Sequence, residues 1–243
     1  MKKNNLIICP CGNPMVYDDA YDMQNHWRYT KKERDYKVLL VIYNDFEPEP
    51  GTYDFIIRQK GLKWNLIPDI CKMFNWEDYD YIGCFDDDYV TDIASINKSL
   101  ELARRFDFRL FQQSLISWTV HPCLEQNKEY SFTETNFIEL GVPFFRNDIF
   151  RKLLRFLADY RYEKSDWGID KVLCYYLQAT AHVIHEVSIK HMRPDVSSYS
   201  KEDGFREMHY LMTDFFPKYM KEKFDMDYQY DDAQNVIRAY KYG

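Results

Sequence analysis

The stretch Tyr79-Asp-Tyr-Ile-Gly-Cys-Phe-Asp-Asp-Asp88 joins an apolar run to three consecutive aspartates. The run from Tyr79 to Phe85 has the length and composition of a buried β-strand. In an open α/β sheet, ligands bind at the carboxyl ends of the strands, so the three aspartates are expected to lie at a binding edge. Adjacent carboxylates repel one another unless a cation lies among them, and Mg²⁺ or Mn²⁺ joins protein carboxylates to substrate phosphates. A solvated acidic turn before a helix is the alternative, because a helix N-terminus also favours carboxylates.

Predicted strands and helices alternate on both sides of this stretch, which is typical of an α/β sandwich with a mostly parallel central sheet. The other predicted strands are Asn5–Cys9, Tyr36–Tyr43, Tyr53–Ile57, Phe108–Gln112, Phe137–Leu140 and His182–Val187. The predicted helices are Leu62–Phe74, one capped by Asp92, one capped by Asn147 that reaches Tyr160, and one capped by Ser165 or Asp166 that reaches about Leu177.

The character of the sequence changes after Pro194. Residues 195–204 are polar and predict a loop or lid, residues 205–224 have a helical pattern interrupted by Pro217, and the tail to residue 243 is acidic and rich in tyrosine. A segment of about 50 residues buries too little apolar surface to fold alone. We therefore interpret residues 1–194 as one α/β domain and residues 195–243 as a helical appendage or lid rather than an independent domain.

The composition excludes several classes of protein. Apolar residues make up 46% and charged residues 29% of the 243 residues, which is typical of a globular chain. The net charge of −7 disfavours duplex nucleic acid as a partner, although a local basic patch stays possible. No run approaches the roughly 20 apolar residues of a membrane span. The apolar N-terminal run is too short for a signal peptide and is broken by Pro10 and Gly12, so a cytoplasmic location is expected.

Cysteines and aromatic residues are interpreted as parts of the core. The six cysteines are scattered through apolar surroundings, which predicts buried reduced thiols, and the single close pair of Cys9 and Cys11 is a poor zinc signal. Aromatic residues reach 18%, and their rings either build the core and its rim or stack on a flat ligand.

A second acidic motif is Asp166-Trp-Gly-Ile-Asp170, in which two carboxylates stand four positions apart at a predicted helix start. Trp167 offers a stacking ring and Gly168 offers room for a ligand, whereas the alternative is an ordinary acidic first turn. Glu139 is a charge in an apolar run, and such a residue is usually paired or functional.

Two further polar residues are expected at strand ends. His191 follows the last predicted strand, and Asp45 follows the second. A strand-end position suits Asp45 for contact with a base or ribose, and a structural turn is an equal alternative for that residue.

The order of these motifs resembles a family of uncharacterised proteins of the GT-A-like glycosyltransferase type and, more distantly, the GT-A nucleotide-sugar transferases in general. The resemblance covers residues 55–194 and implies a Rossmann-type sheet. The motifs that carry it are Lys63-Trp64, Tyr79–Asp88, Gln112-Gln-Ser-Leu115, Phe137-Ile-Glu-Leu-Gly-Val-Pro-Phe-Phe-Arg146, Trp167-Gly-Ile-Asp170 and a strand ending at His191.

The resemblance implies a metal site and a donor site. Asp86 and Asp88 match the Asp-x-Asp motif that holds a divalent metal, Mn²⁺ or Mg²⁺, with the donor's ribose and diphosphate, and His191 matches the histidine that completes the metal site. Lys63 and Asp87 are further expected donor contacts.

The acceptor side follows from the same resemblance. Asp170 matches the acidic residue that acts as base or acceptor contact, with Asp166 and Glu139 as the next candidates. Arg146, in the same segment as Glu139, matches a strand that lines this side, and Trp167 and Gly168 are expected to contact the nucleotide sugar.

The expected reaction is metal-dependent transfer of a sugar from a nucleotide diphosphate sugar to an acceptor hydroxyl, with inversion if a carboxylate acts as base. The hydroxyl would belong to a glycan, a lipid-linked sugar, a protein or a modified nucleobase. Two alternatives stay open: a metal-dependent nucleotidyltransferase or phosphohydrolase, and a non-catalytic module that binds a nucleotide or sugar.

Overall fold

The computed structural model describes residues 4–116, 119, 121–193, 200–229 and 234–242. The strands are β1 (Asn5–Cys11), β2 (Lys37–Ile42), β3 (Phe55–Arg58), β4 (Tyr81–Cys84), β5 (Tyr89–Val90), β6 (Leu110–Leu115), β7 (Phe132–Thr135), β8 (Phe144–Arg146), β9 (Ala181–His191) and β10 (Val236–Tyr240). The α-helices are α1 (Lys63–Met73), α2 (Ile93–Arg105), α3 (Asn147–Asp159), α4 (Ile169–Leu177), α5 (Lys201–Tyr210) and α6 (Phe216–Phe224).

One mixed sheet runs through the molecule in the order β10-β7-β9-β6-β8-β4-β1-β2-β3, and β5 pairs with β9 outside this path. Strands β3, β2, β1 and β4 run parallel to one another, and β6 runs parallel to β9. Strand β8 is antiparallel to both β4 and β6, and β7 is antiparallel to both β9 and β10. This arrangement confirms the predicted α/β class. It also brings the carboxyl ends of β1, β2 and β4 to one edge, where the three aspartates begin.

Both faces of the sheet are covered, which explains why the central strands are continuously apolar. Along β1, Leu6 and Ile8 face a core shared with α1, α3 and α4, while Ile7 and Cys9 face the core on the α2 side. Side chains alternate between the two faces of a strand, so a strand buried on both sides needs apolar residues at every position.

The predicted strand Phe137–Leu140 is wrong, because this segment is a loop between β7 and β8. Its apolar side chains are buried, but its backbone groups bond to side chains rather than to a strand. The Glu139 N–H donates to Gln112 Oε1 at 2.7 Å, and the Leu140 carbonyl accepts from Lys63 Nζ at 2.6 Å. Burial therefore produced a strand-like pattern without ladder hydrogen bonds.

Helix starts agree with prediction at one position and differ at two. Asp92 caps α2 by accepting a hydrogen bond from the Ser95 N–H at 2.7 Å, as predicted. Asn147 is the first residue of α3 rather than its cap, and its side-chain amide donates to the carbonyls of Glu77 and Tyr79. Helix α4 begins after Gly168, so Ser165 and Asp166 precede it without capping it.

The C-terminal region packs on the sheet domain. Helices α5 and α6 are joined by a π-helical segment, Leu211–Phe215, and Pro217 lies in the first turn of α6, where proline is tolerated. The predicted interruption is therefore a π segment rather than a break. Leu211 and Phe216 are fully buried in the core. Of the predicted loop 195–204, residues 195–199 lie outside the described residues.

The tail contributes a strand that the sequence pattern did not predict. Strand β10 pairs antiparallel with β7 and extends the sheet by one strand.

Among the described residues, no helix has both the length and the apolar character needed to cross a membrane. All six cysteines are free, and four of them are buried, in agreement with the predicted reduced thiols.

Candidate active site

The three aspartates after β4 point to three different partners. The Asp86 N–H donates to the Gly141 carbonyl at 2.8 Å, and Asp86 Oδ1 lies 2.9 Å from Lys63 Nζ. Asp87 turns towards the end of β1, and Asp88 turns towards the end of β9. Parallel β1 and β4 end side by side, and β9 returns antiparallel to β5, so this turn is surrounded by chain from distant parts of the sequence.

Lys63 is a buried brace between α1, the loop 136–143 and the aspartate turn. Besides Asp86, its Nζ donates to the Leu140 carbonyl at 2.6 Å, and the residue is only 8% exposed. The Asp86 side chain is 41% exposed, so it reaches solvent at the carboxyl end of β4. Desolvation by the surrounding protein raises the pKa of the Asp86 carboxyl to about 7, and the charge of the Lys63 ammonium partly opposes this rise.

Asp87, which was predicted to contact the nucleotide-sugar donor, instead contacts the backbone just after β1. Its Oδ2 accepts hydrogen bonds from the N–H groups of Gly12 at 2.8 Å and Asn13 at 2.9 Å. It is 9% exposed, and Arg193 lies 3.7 Å from its other oxygen. Asp87 therefore fixes the turn after β1.

The structure brings Asp88 and His191 into contact. Asp88 Oδ2 lies 3.1 Å from His191 Nε2, and the imidazole stacks on the Tyr89 ring with centroids 4.3 Å apart. Burial lowers the pKa of His191, but the hydrogen bond and charge of Asp88 outweigh it, so the pKa is raised overall. The Tyr89 ring needs Gly141 beneath it, because a Cβ at that position would lie 2.4 Å from the ring.

The donor set fits a metal that is shared with a substrate. A carboxylate oxygen and an imidazole nitrogen suit Mn²⁺, and Mg²⁺ commonly takes one or two protein carboxylates plus substrate phosphates. Within the described ranges, no three His, Cys, Asp or Glu side chains form a ready-made metal cluster. Asp88 and His191 therefore supply one oxygen donor and one nitrogen donor that lie together, whereas Asp86 is engaged by Lys63.

The remaining predicted carboxylates belong to the same electrostatic cluster. Burial raises the pKa of Asp86, Glu139 and Asp166, and the charge of Asp166 further raises the pKa of both Asp86 and Glu139. His191 and Lys63 lower the pKa of Glu139. This cluster thus concentrates acidic groups around two cationic ones, which is the kind of environment that shifts pKa values at functional sites.

Asp170 lies in the first turn of α4 and joins this cluster through Glu139. Burial and the Glu139 charge together raise its pKa to about 6, against the charges of Lys171 and His121, which lower it. Its Oδ1 also accepts a hydrogen bond from the Lys171 N–H at 2.9 Å. A carboxylate with such a pKa is ionised at neutral pH and still basic enough to accept a proton.

Two residues near these carboxylates were missed by the sequence analysis. The rings of His121 and Phe137 have centroids 4.3 Å apart, and the charge of His121 lowers the pKa of Asp170. The position of His121 shortly after β6 was a sequence signal that could have identified it. Glu207, on α5, accepts hydrogen bonds from the N–H groups of residues 163–165, the closest at 2.6 Å, and so positions the segment before Asp166. No sequence signal linked Glu207 to that segment 42 residues earlier.

Four predicted contacts lie elsewhere or have another role. Arg146 pairs with Tyr81 at the amino end of β4, away from the aspartates, and its guanidinium binds Asp107 and Asp148. Antiparallel β8 carries Arg146 to the opposite edge of the sheet, so its prediction as an acceptor-side residue is corrected.

Protein side chains pack against both members of the Trp-Gly pair, although Trp167 stays half-buried. Trp167 packs edge-to-face on Phe205, and Gly168 has a φ of +99°, with Met208 and Leu211 of the C-terminal helices close to where its Cβ would be. Gly168 therefore meets a backbone and packing requirement instead of providing room for a ligand. Asp45 is exposed beyond the end of β2.

Comparisons with known proteins support the fold. No protein-family model and no curated protein matches the sequence. The structure is similar to that of S. aureus TarS 1–349, with a TM-score of 0.53 and 8% identity over 92% of this chain and 76% of that chain. The TarS complex with UDP-GlcNAc has a TM-score of 0.49 and 9% identity over 86% of this chain and 65% of that one.

A third similar structure is 4-diphosphocytidyl-2C-methyl-D-erythritolsynthase from Anaerococcus prevotii, with a TM-score of 0.43 and 12% identity over 86% of this chain and 96% of that chain. At such identities the similarity shows the fold alone. The chain therefore has the predicted α/β fold of GT-A type, a mixed central sheet flanked by helices with helices at its C-terminus.

Proposed function

We propose that the protein transfers a sugar from a nucleotide diphosphate sugar to an acceptor hydroxyl. The observation that supports this most is the contact of 3.1 Å between Asp88 and His191 after β4, next to Asp86, which pairs with the buried Lys63. Five carboxylates form one electrostatic cluster with these two cationic side chains, a pattern that suits a polyanionic substrate held through an ion. The GT-A type of fold agrees with this substrate class.

On the donor side, Asp88 and His191 would hold Mn²⁺ or Mg²⁺, and Asp86 would stay with Lys63. When bound, such an ion supplies positive charge to a leaving diphosphate. Lys63 adds a second positive charge next to Asp86 and keeps the loop 136–143 against the aspartate turn. His191 must be neutral to act as a ligand, so its proton is released when the ion binds.

On the acceptor side, Asp170 accepts the proton of the attacking hydroxyl. The hydroxyl oxygen forms a bond to the anomeric carbon, the bond from that carbon to the diphosphate breaks, and the electron pair leaves with the diphosphate. One displacement of this kind inverts the anomeric centre. Glu139 and Asp166 are the alternative bases, because the same cluster of raised pKa values includes both.

A donor screen tests this proposal. The protein is incubated with nucleotide diphosphate sugars and Mn²⁺, and the products are separated. A transferase releases a nucleoside diphosphate slowly even without acceptor, because water replaces the hydroxyl. Release of a sugar 1-phosphate would instead show attack at the diphosphate, as in a nucleotidyltransferase or a phosphohydrolase, and binding without any product would identify a non-catalytic module; either result contradicts the proposal.

A further inference from the structure

Helix α5 is tied to the segment between α3 and α4 by one carboxylate, that of Glu207. Its Oε1 accepts a hydrogen bond from the N–H of Glu163 at 2.6 Å, and its Oε2 accepts from the N–H groups of Lys164 at 3.2 Å and Ser165 at 2.6 Å. Successive N–H groups that converge on one point form a binding site for an anion, and hydrogen bonds to a carboxylate are stronger than those between neutral groups. Glu207 therefore fills an anion site that the backbone of residues 163–165 builds.

The start of the same segment is held independently by α1. Asn65 Oδ1 accepts a hydrogen bond from the Tyr162 N–H at 3.0 Å, and the Asn65 amide donates to the Tyr162 carbonyl at 2.7 Å. Both backbone groups of Tyr162 are thus bonded to α1 and keep this attachment when Glu207 is removed. The effect of Glu207 is therefore confined to residue 163 and the residues that follow it.

The residues after Ser165 include two of the acceptor-side carboxylates. Ser165 is fully buried, and a buried N–H without an acceptor is costly, so without Glu207 the chain would shift until water reaches this group. Asp166 comes next in the chain, and Asp170 lies in the first turn of α4. A shift at Ser165 would therefore displace Asp166 and the start of α4 with it.

We propose that Glu207 is a positioning residue for the sugar transfer and that it acts by holding residues 163–165, which set the direction in which Asp166 and Asp170 face the acceptor hydroxyl. A base must lie within about 2.6–3.2 Å of that hydroxyl, and a misplacement of about 1 Å can lower a rate about 10²-fold. This inference rests on the proposed function, because it assumes an acceptor beside these carboxylates. It assigns to α5, in the C-terminal region, a part in the chemical step.

Loss of Glu207 should change the rate of the reaction and leave the affinity for the donor unchanged. The residues proposed for the donor side, Asp88, His191 and Lys63, are held by contacts among the aspartate turn, β9, α1 and the loop 136–143. These contacts do not pass through residues 163–165. A fall in kcat without a fall in donor affinity is the signature of a group that acts in the chemical step, and a general loss of stability does not produce it in folded protein.

Hydrogen exchange in Glu207→Ala tests the anchor without any substrate. Alanine favours a helix, so α5 should keep its structure. We expect the N–H groups of residues 163–165 to exchange about tenfold faster than in the wild-type protein, because they lose their acceptor. Sodium formate should slow this exchange again, since formate can occupy the anion site, whereas sodium chloride at the same ionic strength should not. Glu202→Ala, at an exposed glutamate of the same helix, is the matched control and should leave the exchange unchanged.

The same variants test the effect on the reaction. With the donor identified by the screen, kcat for release of the nucleoside diphosphate should fall about 10- to 100-fold in Glu207→Ala, while donor affinity measured by calorimetry stays near that of the wild type. Formate should restore much of the lost rate. Glu207→Gln, which keeps one acceptor oxygen but no charge, should lose less than Glu207→Ala and decides the question if the alanine variant does not fold. Glu202→Ala should match the wild type in both quantities.

The inference is overturned if Glu207→Ala keeps the wild-type kcat, if formate restores neither the protection nor the rate, or if donor affinity falls as much as kcat. Its failure is distinguishable from failure of the proposed function. Faster exchange at residues 163–165 with an unchanged kcat removes the positioning role and leaves the transferase standing. A wild-type protein that releases no nucleoside diphosphate contradicts the proposed function and the positioning role together, while the exchange measurement still reports the anchor by itself.

Discussion

His191 Nε2 lies 3.1 Å from Asp88 Oδ2, although the two residues are 103 positions apart in the chain. The contact forms because β9 returns antiparallel to β5 and places its last residue opposite Tyr89. Asp88 raises the pKa of His191 against the effect of burial, so the pair holds a proton more firmly than an isolated histidine. An ion that binds here competes with that proton.

Donor binding should therefore require both the ion and a sufficiently high pH. We expect Asp88→Asn to weaken nucleotide binding about 10- to 100-fold, because it removes a charged ligand. Wild-type affinity measured by calorimetry should fall as pH drops below the pKa of His191. Asp80→Asn, an exposed substitution before β4, is the matched control. Equal nucleotide affinity with EDTA and with Mn²⁺ would contradict the metal site.

Asp170→Asn should separate binding from chemistry. The substitution keeps the size of the side chain and removes its basicity, so kcat should fall about 10²- to 10⁴-fold while donor affinity stays near that of the parent. Near-parental turnover in a folded Asp170→Asn protein would exclude Asp170 as base, and Glu139→Gln and Asp166→Asn would then be compared.

The pH dependence of the wild-type reaction provides a second test of the base. Because the pKa of Asp170 is raised to about 6, the carboxyl is protonated and inactive below that pH. With saturating metal and donor, kcat should rise about tenfold per pH unit below 6 and level off above it. A kcat that does not change between pH 5 and pH 7 would be inconsistent with this assignment.

Asp170→Asn should also make the protein more stable at alkaline pH. Burial raises the pKa of Asp170 from 3.8 to about 6, so the folded state binds more protons than the unfolded state between these values. Stability therefore falls as pH rises through this window. The variant should unfold at a higher temperature than the parent at pH 8, and the difference should shrink at pH 4.

Asp148→Asn is the opposite control for that measurement. Arg146 lowers the pKa of Asp148 to about 2, so ionised Asp148 stabilises the fold above about pH 4 and loses this contribution as pH falls through 2. Its substitution should lower the unfolding temperature at pH 8. If both variants shift the temperature in the same direction, burial does not govern the energetics of Asp170.

Lys63→Met tests the brace under Asp86. The substitution keeps the length of the side chain but leaves the Leu140 carbonyl and Asp86 without their cation. We expect weaker donor binding and a higher pKa for Asp86, seen as a shift of the pH profile of binding to higher pH. Lys72→Met, on the same helix but paired with Asp69 at the surface, should change neither quantity.

Helix α6 should be a fixed part of the fold, because its first residue, Phe216, is anchored in the core. This side chain is fully buried against Phe156 and Tyr228, so Phe216→Ala should cost about 3–5 kcal/mol in the free energy of unfolding. Tyr210→Ala, at a position 53% exposed, should cost far less. Hydrogen exchange around Phe216 should be slow without donor, and slow exchange only after donor is added would instead support a mobile lid.

Local patterns were sufficient for most elements. Strand β2 is a run of apolar, mostly branched residues, and Asp92 carries its own capping signal within three residues. The aspartates after β4 were expected at a binding edge because strand ends collect there in any α/β sheet. These features depend on neighbours in sequence, and this is why they were predictable without a structure.

Other features depend on contacts that no local pattern contains. The segment 137–140 is as apolar as a strand, but its backbone bonds to Gln112 and Lys63. Gly168 needs its φ of +99° and its small size because distant helices pack on it. Strand β10 exists because β7 offers it a free edge.

The sequence by itself determined that an acidic turn follows a buried strand, that an Asp-Trp-Gly-Ile-Asp motif leads into a helix, and that a histidine ends a strand. Only the tertiary structure decided which of these side chains meet. In the folded chain Asp88 contacts His191, Asp86 pairs with Lys63, and Asp87 accepts a hydrogen bond from the backbone N–H of Gly12, just after β1. The physical reason is that three neighbouring carboxylates repel one another, so each takes a separate partner, and the order of the strands fixes which partners are within reach.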